Sequence, residues 1–128
     1  MVEEKNIMVC VTQQKTCERL IRKGAEIRDL HGGRLLVVHV TPTALQVMGN
    51  YSQPDALDYL YEVSKTMDAE MTVIRSTETI KTLVEFCRIN QVATVVMGES
   101  LRPSKENTIV DELNKRIGRT TEIKIVSV

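Results

Sequence analysis

The residues able to do chemistry in this chain of 128 residues are three thiols, two imidazoles and one short run of glycine and hydroxyls. Cys10, Cys17 and Cys87 are odd in number and form no C-x-x-C pair, so neither a disulfide framework nor a zinc site is indicated. Cys10 lies inside an apolar run, and Cys17 and Cys87 lie on apolar helix faces, so all three read as core thiols. His39 falls on a buried-strand pattern, where a hydrogen-bonded core histidine is the ordinary case. His31 sits at a helix C-terminus, where the helix dipole favours it. The segment from Gly98 to Thr108 carries Ser100, Ser104 and Thr108 behind a glycine. Neither serine has the G-x-S-x-G elbow of a nucleophile, and no pair of carboxylates stands at a strand end to hold a metal. No catalytic residue and no metal site is assigned, and the chain is expected not to be an enzyme.

Charge narrows the partners further. Lys+Arg and Asp+Glu both total 17, whereas a protein that neutralises nucleic-acid phosphates usually carries a basic surplus. No nucleic-acid partner is expected. Glu18, Arg19, Arg22 and Lys23 form a charged helix face, read first as solvated, with Arg19 or Arg22 held as an alternative contact for an anionic ligand. Tyr51, Tyr59 and Tyr61 are expected to pack against the sheet, with base stacking as the alternative. No apolar run approaches the roughly 20 residues that span a bilayer. The polar Met1 to Lys5 start lacks a signal-peptide pattern. A cytoplasmic protein without a membrane partner is expected.

The elements that position these residues alternate regularly. Asn6–Val11, Arg34–Val40, Ala69–Arg75, Val92–Met97 and Thr121–Val128 read as strands, with Val92–Met97 as the most buried because it is β-branched and continuous. Between them, apolar residues at helical spacing mark Lys15–His31, a helix from Pro54, one with Ile80, Leu83, Val84 and Cys87 inward, and one with Ile109, Val110, Leu113 and Ile117 inward. Gly32 and Gly33 stop the first helix, Ser52 caps the second, Ser76 or Thr77 the third, and Asn107 or Thr108 the fourth. Asn90 is expected as a left-handed stop, Gly118 ends the last helix, and Thr41–Gln53 reads as a long loop. This rhythm specifies one α/β domain over 1–128, a five-stranded, mostly parallel open sheet with helices on both faces. Ligands of such sheets bind at the carboxyl ends of the strands near the switch point, which selects Thr12–Lys15, Thr41–Ala44 and Gly98–Thr108. The last strand alternates only in its first half, as expected of an edge or interface strand.

In order and spacing, IMVCV followed by a helix, RLLVVHV, VVMG and a short final strand resemble the universal stress proteins over essentially the whole chain. CERLIRKGAEI (Cys17 to Ile27) and the G-x-S of Gly98, Glu99 and Ser100 are similar to the stress-protein-like domain of KdpD-type potassium-sensing histidine kinases. The resemblance implies a Rossmann-like fold and a nucleotide pocket at Cys10, Thr12, Val40, Met97, Gly98, Ser100, Asn107, Thr108 and Ile109. ATP-binding members carry three glycines and a Ser or Thr after the fourth strand. Here Gly98 and Thr108 match, Leu101 and Asn107 replace the second and third glycines, and Thr12 replaces a ribose-binding aspartate. Asn107 serves as a left-handed substitute, while Leu101 crowds approaching phosphates. Asp111 and Glu112, read as first-turn residues of the last helix, oppose phosphate there.

The expected ligand is therefore ATP with weakened grip, AMP or cyclic di-AMP, in a non-catalytic regulatory or stress-response domain. The resemblance also implies a homodimer through the C-terminal strand. The alternative is a degenerate interaction module that binds no nucleotide, linked to potassium or two-component signalling.

Overall fold

Five apolar runs become strands and four amphipathic stretches become helices among the described residues. The structure, a computed structural model, describes residues 5–12, 15–41, 54–98, 105–117 and 120–126, with the backbone alone at 54–55 and 105–110. The strands are β1 Asn6–Cys10, β2 Leu35–Thr41, β3 Glu70–Arg75, β4 Val92–Gly98 and β5 Glu122–Val126. The helices are α1 Glu18–His31, entered through a 3-10 turn at Lys15–Cys17, α2 Pro54–Thr66, α3 Thr79–Ile89 and α4 Lys105–Ile117.

All strand pairs are parallel and the sheet order is β3-β2-β1-β4-β5. The chain steps outward from β1 through β2 to β3, then crosses to β4 on the other side of β1, which places the switch point between β1 and β4. Alternating residues of each strand feed two cores. Ile7, Val9, Leu35, Val37 and Val96 meet Leu20, Ile21 and Ala25 of α1 and Leu60 and Val63 of α2. Met8, Leu36, Val38 and Val95 meet Leu83 and Cys87 of α3 and Leu113 and Ile117 of α4. At roughly 25 cal/mol per Å² of apolar surface, these two layers supply most of the drive to fold.

Several local readings need correction. β1 and β2, not β4, are the most buried strands: Ala93, Thr94, Met97 and Gly98 of β4 are only half-buried. The reason is position, since β1 is central while β4 neighbours the edge strand β5. Asn90 is not left-handed (φ −99°); Gln91 takes that conformation instead (φ 52°). Asn90 is held by its own bonds, its Nδ2 donating to the Phe86 carbonyl at 3.0 Å and its carbonyl accepting from Asn6 Nδ2 at 2.6 Å. The α3 N-cap position falls on Glu78, not Ser76 or Thr77. Ser76 Oγ instead accepts from the Glu78 amide at 3.0 Å, a two-residue Ser turn that precedes the helix. Tyr59 and Tyr61 do not pack on the sheet; both are exposed, beside the ammonium groups of Lys15 and Lys65 respectively. α4 begins at Lys105, earlier than Asn107, because Lys105 and Glu106 are themselves good helix formers. Asp111 and Glu112 consequently lie beyond the first turn.

Gly32 and Gly33 do end α1, with φ of 82° and 95°, and the Gly32 amide donates to the Arg28 carbonyl at 2.6 Å. β5 is an edge strand, pairing with β4. No described helix is long and apolar enough to cross a membrane. The 42–53 segment with Tyr51 and Ser52, and Gly118, Ser127 and Val128, lie outside the described residues.

Candidate functional site

The switch point brings together the ends of β1 and β4. Val9 pairs with Val96 close to where β1 ends at Cys10 and β4 at Gly98, and Cys10 pairs with Val38 on β2. Cys10, Val40 and Met97, all half-buried, turn toward the α3–α4 core and form an apolar floor at the strand ends. Burial, with Cys87 as a lesser neighbour, pushes the Cys10 thiol up to about 12, so it is neutral near pH 7 and not a nucleophile. Burial likewise pushes Cys87 up to about 11, and its Sγ stands 4.0 Å from Met8 Sδ. Cys17 is also buried, so the core reading holds for Cys17 and Cys87, with Cys10 at the core's margin.

Beyond Cys10 the chain is pinned from both sides. The Val11 amide donates to the Val38 carbonyl at 2.9 Å. Its carbonyl accepts from buried His39 Nδ1 at 3.0 Å, which fixes the proton on that nitrogen, since a carbonyl only accepts. His39 is therefore the hydrogen-bonded core residue expected. Thr12 is exposed, its amide donates to Cys17 Sγ at 3.4 Å, and its hydroxyl lies 3.4 Å from the same sulfur.

On the opposite side of the crevice, Gly98 faces α1. A Cβ added there would meet Leu20 Cδ1 at 3.4 Å and Arg19 Nη2 at 3.7 Å, ordinary contacts, and its φ is not left-handed. Among the described residues, neither packing nor backbone conformation demands glycine at this position. A glycine at a strand end often marks close approach by a ligand or another chain. Arg19 Nη1 also donates to the Val126 carbonyl at the end of β5, at 3.4 Å. Spacing puts Arg19 on a charged helix face, with contact to an anionic ligand as the alternative reading; the convergence of α1 with β4 and β5 sets it beside Gly98.

The other charges of α1 are engaged elsewhere. Glu18 accepts from Arg22 Nε at 2.7 Å and from the Tyr59 hydroxyl. These two hydrogen bonds, Tyr59 first, hold the Glu18 carboxyl below its ordinary range. Lys15 Nζ stands 5.5 Å over the Tyr59 ring.

Of the remaining candidates, Ser100 and Leu101 lie outside the described residues, as do the side chains of Asn107, Thr108 and Ile109. The backbone of those last three is α-helical, so Asn107 does not serve as a left-handed glycine substitute. A shallow recess of about 480 Å³, lined by Thr77 to Lys81 and Arg116, shares no residue with the strand-end site.

The model of the universal stress protein family matches residues 4–110. Among solved structures, the chain is similar to a universal stress protein in complex with cAMP, at 13% identity over 98% of each chain and a TM-score of 0.69. It is similar to a universal stress protein from Archaeoglobus fulgidus, at 19% identity over 94% of this chain and 92% of that one, TM-score 0.67. A further likeness is to the Archaeoglobus fulgidus universal stress protein in complex with dAMP, at 17% identity over 98% of each chain, TM-score 0.61. No curated protein matches the chain.

Proposed function

The chain belongs to the universal stress protein family, and from that premise we propose that it is a non-catalytic regulatory domain whose β1–β4 crevice takes a nucleotide. The observation that carries this reading is Gly98, a glycine without a described structural need, at the switch point beside the apolar floor of Cys10, Val40 and Met97. The cAMP and dAMP complexes of two structural neighbours support ligands with few phosphates. A weak hold on ATP follows from Thr12. A hydroxyl cannot match a carboxylate gripping two ribose hydroxyls, and this one already lies against Cys17 Sγ. AMP and cyclic di-AMP are the ligands of choice. The edge strand β5 pairs two copies into a homodimer. Three free thiols suit a reducing, cytoplasmic setting.

Thr12 also favours a second reading. With its hydroxyl turned to Cys17, the site is that of an interaction module without nucleotide, working beside a KdpD-type potassium or two-component system. Calorimetric titration with ATP, AMP and cyclic di-AMP separates the two. The first reading expects micromolar binding of AMP or cyclic di-AMP, weaker binding of ATP, and further loss in Thr108→Ala. Silence toward all three ligands leaves the interaction module.

A further inference from the structure

The chain leaving β1 is held at one sulfur. Val11 donates its amide to the Val38 carbonyl of β2 at 2.9 Å, and its carbonyl accepts from His39 Nδ1 at 3.0 Å. Amides alternate sides along a strand, so the next one, that of Thr12, falls on the side of β4. There it donates to Cys17 Sγ at 3.4 Å instead of to a β4 carbonyl. Thr12 Oγ1 lies 3.4 Å from the same sulfur. Cys17 ends the 3-10 turn that leads into α1, and it is buried with Val9, Val11, Leu20 and Ile21. The sulfur is thus a fixed point in the core, and the residue it holds is exposed at the mouth of the crevice.

We infer that Cys17 is a positioning residue of the strand-end site, orienting Thr12 toward the nucleotide; the inference rests on the nucleotide-binding reading above. A backbone amide released from its ladder needs another acceptor, and the sulfur supplies one where β1 parts from β4. A hydroxyl has one donor and two acceptor positions. The sulfur faces one of those three, which leaves two for a ligand. Sulfur is also a weak donor and a weak acceptor. It therefore sets the direction of the Thr12 hydroxyl without competing strongly against a sugar or phosphate oxygen. Both anchors of this arrangement are rigid, Cys17 through its packing in the α1–α2 core and Val11 through its two bonds to β2. Fixing Thr12 before the ligand arrives removes part of the ordering cost of binding. The thiol acts through Thr12, from beneath, and not by contact with the ligand.

The test titrates AMP by calorimetry into the full chain as wild type, Cys17→Ala, Cys17→Ser, Thr12→Val and the Cys17→Ala, Thr12→Val double variant. Cys17→Ala is expected to weaken AMP about threefold to tenfold, the scale of one hydrogen bond. Cys17→Ser, whose oxygen can take over both bonds, is expected to return the affinity to within about twofold of wild type. In the Thr12→Val background the same Cys17→Ala change is expected to cost nothing further, whereas a cavity left by the thiol would weaken AMP in both backgrounds. Hydrogen exchange on ligand-free wild type needs no variant to fold: the Thr12 amide is expected to exchange more slowly than an unbonded loop amide. Unchanged AMP affinity in Cys17→Ala overturns the inference, and so does an equal loss in Cys17→Ser. A loss that persists in the Thr12→Val background, or an unprotected Thr12 amide, overturns it too. If wild type binds no AMP while the Thr12 amide is protected, the nucleotide reading itself has failed and the inference falls with it.

Discussion

A methyl group on Gly24 would stand 2.6 Å from Val9 Cγ2 and 2.8 Å from Leu35 Cδ1, so α1 lies on β1 and β2 at a distance that glycine permits. That close seating is what carries Arg19 and Leu20 over the end of β4. Gly24→Ala is expected to lower stability by about 1–3 kcal/mol, the usual cost of overpacking, in urea unfolding. An unchanged midpoint would show that Val9 and Leu35 move aside freely. The thiols make a second residue-scale prediction. Folded Cys10 and Cys87 hold their protons to about 12 and about 11, against 9.0 for an ordinary thiol. Raised folded-state values mean that the contribution is present below pH 9 and lost as pH climbs through 11 to 12. Thermal melts should therefore fall in that alkaline window, and a Cys10→Ala, Cys87→Ala double variant should show a flatter slope. Equal slopes would place both thiols in contact with water.

At the scale of elements, order and type were legible because each strand is a short β-branched run and each helix keeps one apolar stripe. What spacing could not supply was the meeting of elements. Asn90 has the composition of a left-handed stop, yet its carbonyl is taken by buried Asn6, and the turn passes to Gln91. Tyr59 has the composition of a packing residue, yet it reaches across to Glu18 on another helix. β5 was legible as an edge strand from its broken alternation: Ile123 joins the α3–α4 core, Val126 the α1–α2 core, and Ile125 remains 44% exposed. If β5 pairs two copies, Ile125→Lys should convert a light-scattering dimer to monomer with little change in melting. A wild-type monomer at high concentration, or a dimer untouched by Ile125→Lys, removes β5 as the interface.

For the whole molecule, the switch point follows from the strand–helix rhythm, and with it the neighbourhoods of Thr12, Val40 and Gly98. Half of the candidate site was therefore readable before any contact was known. The meeting of Cys17 with Thr12 was not, because it joins the turn leading into α1 to the end of β1 with no periodic signal to mark it. The crevice between β1 and β4 is the centre of the account, and amide chemical shifts locate a ligand there or elsewhere. Titrating isotopically labelled protein with AMP should move the amides of Cys10 to Thr12, Val40, Met97 and Gly98 together, saturably and in the micromolar range. Shifts confined to Thr77–Lys81 at the separate recess, or no shifts at all, would contradict it.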